Sequence, residues 1–470
     1  MNQRDSPSSN SEFALADGRA AKSWRLRALG AAVGMGLVPV ATCLPQSTQS
    51  GVTLRIEADA VMATDATDVS AREFAKRTGI QVEIEKFGYA DSSKKAAEDL
   101  ASKAGRYDIV LQNADALAKF AEQGSIVPVA ELEKATGLQA DFEDDLYAGA
   151  WRALSWYKGT KYGYPLAANT MFVVYRKDLM DSPIEKAGFR AKYGYDLAPP
   201  QTWKEYRDIA EYFTRPEQNF YGTLLQGKRF PAVWFEWLNF AFSFGGGVMQ
   251  KDYSSEYGPI IVNSPETLQG TEFYNSLKKF SPPGFTNFTW DNAIDETRDG
   301  HVFMCVIWSD ALFHVIDPKT SKVTGKVGFI PIPAGTNGRV AQVAGSSYFV
   351  SRYSKHPKES FQFELWMLNR ENQINQELAG GSSARKSVYS DARVVKLSYS
   401  QATAHSLDVA RGMIDTVPET PQVSDIIETA ISDVLADKKS PQQALDWAAE
   451  GLHSALGDKC PLKYPVSAGK

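Results

Sequence analysis

Two periods of apolar residues alternate along most of this chain. From residue 51, "VTLRIEA" puts Val52, Leu54 and Ile56 at every second position, the spacing of a half-buried strand. "VSAREFAKRTG" then reads as a helix ended by Gly79, and "IQVEIEKF" as the next strand. "DSSKKAAEDLASKAG" predicts a helix with Ala96, Ala97, Leu100 and Ala104 on one face, closed by Gly105. "YDIVLQN" predicts a strand and "DALAKFAEQG" a helix. Strand, helix and strand at this spacing imply right-handed crossovers and a parallel sheet.

A second set follows. "NTMFVVYRKDL" reads as a strand leading out of the Gly- and Tyr-rich "YKGTKYGYPLAA", and "YGTLLQ" as a short one. "PQTWKEYRDIAEYF" opens with Thr202 and Glu205 at capping-box spacing, where each side chain satisfies the other's open backbone N–H. "FPAVWFEWLNFAFSFGGG" predicts an aromatic helix stopped by three glycines, and "SPETLQGTEFYNSLKKF" a helix with Ser264 as cap and Pro265 first. "VFMCVIWSDALF" carries an apolar run from Val302 to Ile307, the pattern of a buried strand, and ends on Trp308, Ser309 and Asp310. "GKVGFIPIPAG" and "SSYFVS" follow as strands, and "PKESFQFELWMLNRENQINQEL" as one helix. In "SPQQALDWAAEGLHSAL", Ser440, Pro441 and Gln443 again occupy capping positions.

The first fifty residues break the pattern. A polar stretch ending in Lys22, Arg25 and Arg27 precedes the apolar "ALGAAVGMGLVPVATC", the layout of a secretory signal and too short to span a bilayer. "VATC" offers Cys43 as a lipidation site, although Thr42 before it leaves cleavage without lipid equally open. The mature protein is therefore expected to be exported, periplasmic or tethered to the outer face of the membrane. Export permits a disulfide between Cys305 and Cys460; a buried unbonded Cys305 is the simpler alternative.

At 470 residues the chain is long enough for two or three domains at ~150 residues each. Apolar content of 43% beside 23% charged residues is that of a globular protein. The net charge of -5 with interspersed signs argues against nucleic acid. Five histidines and three cysteines form no metal-ligand spacing, so neither metal nor cofactor is expected. Enzyme signatures are missing too: no histidine stands in a nucleophile motif, and no strand runs into a phosphate-binding glycine loop. Acidic pairs such as Asp144 and Asp145 keep an exported glycoside hydrolase open as an alternative.

Five stretches in order carry a family resemblance: "GRYDIVLQNADALAKFAEQGSIVPV", "YKGTKYGYPLAANTMFVVYRKDL", "PQTWKEYRDIAEYF", "VIWSDALFHVIDPKTSKVTGKVGFIPIPAG" and "TPQVSDIIETAISDVLADKKSPQQAL". Together they resemble the extracellular solute-binding proteins of ABC transporters, in the carbohydrate-binding family of the maltose-binding type. That resemblance implies an α/β, two-lobe periplasmic-binding-protein fold (class II type), with a ligand cleft between the lobes and crossover hinge strands. After a leader over 1–50, it implies lobe one over 51–165 and 340–378, and lobe two over 166–339 and 379–470. It also implies a receptor that takes a carbohydrate or polyol by lobe closure and delivers it to a membrane permease. A monomer doing no chemistry on its ligand is expected. A receptor of the same fold for a charged solute is a second alternative.

The family resemblance places a sugar-stacking tryptophan at the end of the strand that Trp308 closes. The other reading of Trp308 is a core plug. Ser309 and Asp310 stand beside it as hydrogen-bond partners for hydroxyls. Asp115 falls where the family puts carboxylates against sugar hydroxyls, and it could equally cap the helix "ALAKF". Asn169 stands at a crossover, as hydroxyl partner or as turn residue. Arg229 offers donors and Trp234 a second stacking face, whereas Trp237 reads as packing. Gly345 and Ser346 lie where backbone approaches ligand closely. Arg385 near the second crossover, and Asp91 after a strand, complete the candidates. Ile426 and Ile427 replace an aromatic pair of the maltose-binding type, which argues against maltose itself.

Overall fold

The computed structural model describes residues 51–60, 62–250, 257–412 and 417–466; the leader over 1–50, with Cys43, lies outside the described residues.

Five strands form a first sheet in the order β2-β1-β3-β11-β6. β1 (Thr53–Asp59) lies between β2 (Gln81–Phe87) and β3 (Ile109–Asn113), all parallel, as the alternating strand and helix pattern requires. β11 (Ser346–Val350) returns antiparallel beside β3, and β6 (Gly163–Pro165) pairs with it from the other side. A small hairpin of β4 (Trp156–Tyr157) and β5 (Thr160–Lys161) stands apart. The core of this sheet packs Leu54, Ile56, Leu111 and Val350 against Phe361 and Phe363, and takes in Ala384, Val388, Tyr389 and Val394 from beyond residue 378.

The second sheet is built around β7 (Asn169–Arg176). β8 (Met304–Trp308) and β9 (Val327–Pro331) both pair with it antiparallel. β10 (Ala341–Ala344) pairs with its first residues, and β12 (Ala410–Gly412) lies parallel beyond β10. β8 is buried along its whole length, which is why it reads as an unbroken apolar run. The aromatic helix Pro231–Ser243 and the helices Thr420–Leu435 and Pro441–Leu456 pack into the same core through Trp237, Ile427 and Ala448.

The chain crosses between the sheets at residues 166–168, again at Gly345 and a third time just before β12, and the first two crossings are bonded together. Leu166 N and Ala167 N both donate to the Ser346 carbonyl, at 2.9 and 3.2 Å, and Ala168 N donates to Ser382 O at 2.7 Å. Gly345 has φ +142°, and a Cβ there would stand 2.0 Å from Ala167 O. Only glycine meets both the conformation and the approach.

The capping residues act as their spacing predicts. Thr202 and Glu205 exchange hydrogen bonds of 3.2 and 3.0 Å, Ser440 and Gln443 do the same at 3.0 and 3.3 Å, and Ser264 accepts from Thr267 N at 3.1 Å. Three expectations are corrected. "YGTLLQ" is no strand, because its backbone bonds scatter: Tyr221 N goes to His301 O, Thr223 N to Phe280 O and Gln226 N to the Glu236 carboxylate. The stretch 357–378 forms two helices, Pro357–Met367 and Arg370–Leu378, since the Asn369 side chain accepts from Asn372 N at 2.9 Å and starts the second. Helix Tyr89–Ser102 ends on left-handed Lys103, so Ala104 is exposed instead of joining the Ala96 and Leu100 face. Cys305 and Cys460 are both buried and not bonded to each other: one thiol lies 3.1 Å from Thr297 Oγ1, the other 3.5 Å from Met249 Sδ.

Candidate functional site: the cleft between the two sheets

Parallel strands leave their sheet at their carboxyl ends, and residues just there face open space rather than neighbours. β1 ends on Asp59, and β3 ends on Asn113. Asn113 Nδ2 donates to Asp59 Oδ2 at 2.6 Å. Asp115 follows in the first turn of helix Ala114–Glu122, an acidic residue at the favourable end of the helix dipole. The N-cap position belongs to Asn113, not Asp115. Behind this edge, Glu57 accepts from Ser92 Oγ at 2.5 Å and from Gln112 Nε2 at 2.6 Å. Burial pushes the Glu57 carboxyl up to about 8 against those bonds. Burial first, and the Asp115 charge after it, also raise Asp59.

The opposite edge is aromatic. Trp308 closes β8 and is 9% exposed, with Phe235 edge-on to it at 6.0 Å. Trp290 opens helix Trp290–Asp299, held by Thr289 N donating to the Asn292 side chain at 2.8 Å, and Phe230 packs 4.6 Å from its ring. Asp310 follows Trp308, accepting from Asn169 Nδ2 at 3.0 Å. Burial raises the Asp310 carboxyl, against hydrogen bonds from the Asp310 and Ala311 backbone N–H groups and, after them, the neighbouring His314. Ser309 joins this edge to the crossings: its Oγ accepts from Thr170 N at 3.2 Å and lies 2.7 Å from Ser382 Oγ.

Between the edges lies a cleft of about 690 Å³, within the usual size for a small-molecule site. Of the sequence candidates, Asp115, Asn169, Trp234, Trp308, Asp310 and Gly345 line it. Trp234 does so as a fully buried ring, forming wall from behind.

Four candidates lie elsewhere. Arg229 extends outward into an ion pair with Asp425. Arg385 is held by Asp145 at 2.7 Å and stacks 5.1 Å over Phe142, tying a loop to the first lobe. Asp91 is exposed in the first turn of helix Tyr89–Ser102. Ser346 is buried in β11, where its carbonyl binds the crossing.

Asp59, Asn113, Phe235, Trp290, Asp291 and His314 also line the cleft and were not among the candidates. The carboxyl-end rule for parallel strands was the signal that could have found Asp59 and Asn113. Trp290 gave none, because an aromatic at a helix start reads equally well as packing. A second cavity of about 630 Å³, bordered by Gly245, Glu266, Asn337 and Arg411, lies away from this cleft. Among the described residues no group of His, Cys, Asp or Glu is arranged to hold a metal ion, and no described helix is long and apolar enough to cross a membrane.

The family described as bacterial extracellular solute-binding protein matches residues 70–399. A probable ABC transporter-binding protein of Deinococcus radiodurans is 25% identical over 411 residues, 84% of this chain and 91% of its own. A mannitol-binding protein of Pseudomonas aeruginosa is 26% identical over 329 residues, 67% of this chain and 69% of its own. A crystal structure of an ABC transporter solute-binding protein from Agrobacterium radiobacter, in complex with ribitol, is 26% identical with a TM-score of 0.71, covering 86% of this chain and 98% of that one.

Proposed function

This chain belongs to the bacterial extracellular solute-binding protein family, and from that premise we propose that it captures a sugar or polyol in the cleft and delivers it to an ABC transporter permease. The observation that carries this is the pairing of walls: carboxylate and amide groups at the ends of β1 and β3 face Trp308 and Trp290 across one cleft. A sugar or polyol has the matching anatomy. Its C–H faces pack on indole with gain of dispersion, while its hydroxyls can donate to carboxylates such as Asp59 and Asp115, which accept more strongly than neutral groups. The mannitol-binding relative and the ribitol-bound neighbour support the polyol class.

Capture works by closure. A ligand touching one wall gains half of its contacts, and both sets exist only when the lobes approach, so the ligand favours the closed state by its extra affinity for it. Bending is then taken up at the crossings near Ala167, Gly345 and the start of β12, a hinge of few residues. The permease recognises the closed form, and a monomer suffices for the cycle. Isothermal titration of the chain from residue 51 against sugars and polyols tests this reading, with the ligand recovered afterwards. One-to-one binding of a ligand that returns unchanged is expected. A cleaved sugar would instead reveal a hydrolase.

The same reading takes residues 1–50 as an export leader, with cleavage that either leaves a lipid on Cys43 or leaves none. Mass spectrometry of the exported protein tests it: a chain lacking residues 1–42 is expected, its mass telling the lipidated form from the free one, and retention of residues 1–42 sinks the assignment.

A further inference from the structure

Side-chain contacts between the lobes bias how open the cleft stands before a ligand arrives, and one such contact lies a single residue from the aromatic wall. Ser309 follows Trp308, is buried, and is not among the residues that line the cleft. Its hydroxyl is spent elsewhere: it accepts from Thr170 N at 3.2 Å and lies 2.7 Å from Ser382 Oγ. Thr170 belongs to β7 of the second sheet. Ser382 belongs to the first lobe, where buried groups fix its segment. Ser383 N donates to the Glu377 carboxyl at 2.9 Å, Ser383 Oγ to Gln373 Oε1 at 2.7 Å, and Tyr147 N to Ala384 O at 2.9 Å. Ala384 itself packs in the first core.

A second contact joins the same two segments. Gly380 has φ +94°, and a Cβ there would stand 3.3 Å from Phe313 Cδ2. Phe313, in helix Leu312–Ile316, therefore lies against the Gly380 backbone, although it is 42% exposed. None of these four residues is on a crossing, so rotation of one lobe about the crossings slides each partner past the other. A hydroxyl pair withstands a slip of only a few tenths of an ångström before its hydrogen bond is lost. The arrangement that makes this bond is also the one that sets the carboxylate and aromatic walls along one cleft.

We propose that Ser309 with Ser382, and Phe313 with Gly380, form a latch between the lobes that favours the cleft-forming arrangement before any ligand binds. Ser382 is then a positioning residue for capture, a role that rests on the solute-binding reading above.

The test compares wild type, Ser382→Ala and Phe313→Ala by small-angle X-ray scattering and by calorimetric titration, with mannitol and ribitol as probes. Ser382→Ala is expected to raise the ligand-free radius of gyration and to leave the probe-saturated radius unchanged. It should also weaken binding by about three- to tenfold, because apparent affinity falls with the fraction of molecules in the competent arrangement. Phe313→Ala should act in the same direction, and decides the matter if Ser382→Ala does not fold.

An unchanged ligand-free radius in the folded variant overturns the inference, whatever happens to affinity or melting. A larger ligand-free radius with unchanged affinity for a probe that the wild type binds overturns it as well. If neither probe binds the wild type, that counts against the sugar and polyol reading, and the ligand-free radii alone decide whether the latch exists.

Discussion

The two walls of the cleft are built on opposite plans. On one side Asp59, Asn113 and Asp115 sit where parallel strands run out, held from behind by hydrogen bonds among Glu57, Ser92 and Gln112. On the other, Trp308, Phe235 and Trp290 present ring surface from elements packed into the second core. The first wall can orient a ligand through directional acceptors. The second supplies contact area with little directional demand. On the proposed function, a ligand satisfies both plans together when the lobes approach.

The largest expected effect comes from the joint between the walls. Gly345→Ala puts a methyl group against the Ala167 carbonyl at a positive φ, and should cost about 3 kcal/mol or more of stability by denaturant unfolding. An unchanged midpoint would mean that the crossing is loose. Next is the aromatic wall: Trp308→Ala should weaken ligand binding by about 1–3 kcal/mol. Because only 9% of Trp308 is exposed, melting should fall as well. Lower melting with unchanged affinity would make Trp308 a core residue alone. Asp59→Asn is the acidic counterpart. It should cost about 1–2 kcal/mol in affinity with melting nearly constant, and equal losses on both measures would assign Asp59 to the fold rather than to the ligand.

Smaller still is a pH effect outside the cleft. Burial pushes Glu236 up to about 7 while Gln226 N and Tyr274 OH donate to it. Its folded-state pKa is above the unfolded value, so the folded state holds the extra proton. The stability this confers is complete below about 4.5 and is lost as pH rises through about 7. Glu57 and Glu377, raised to about 8 and about 7 by burial, act with the same sign. Melting temperature should therefore fall from pH 5 towards pH 8, and Glu236→Gln should flatten the slope; a rising curve would contradict the assignment. The smallest effect belongs to Arg229→Ala, which removes an exposed pair with Asp425. It should change affinity by less than about 0.5 kcal/mol, and a larger loss would bring Arg229 back to the ligand.

Why some of this was legible in the sequence follows from range. Strands β1, β3 and β8 and the caps at Thr202, Ser264 and Ser440 depend on residues within a few positions, so their patterns are local. The place of Trp308 at the end of a buried strand was legible in its apolar run, whereas a stacking role for it came from the family resemblance alone. "YGTLLQ" misled because only Tyr221 and Gly222 pair with residues 301–304, and the peptides after them bond to other elements. Asn369 hid its break because an asparagine inside a helical period gives no sign of which way its side chain turns. The rest of the site was set by distance along the chain. Asp59 and Asp291 are unremarkable acids in sequence, and become wall residues only when sheets that interleave along the chain bring their edges together. Arg229 and Arg385 show the converse: arginines near the right elements whose partners, Asp425 and Asp145, draw them away.

The most direct test of the two-wall account is calorimetric titration of one stabilising sugar or polyol into wild-type protein, Asp59→Asn, Trp308→Ala and the double variant. If both walls grip one ligand in the closed state, each single variant weakens binding, and the double variant loses less than the two single losses added together, because either lesion already prevents full closure. Strictly additive losses would mean that the walls act independently, and unchanged affinity in either single variant would remove that wall from the site.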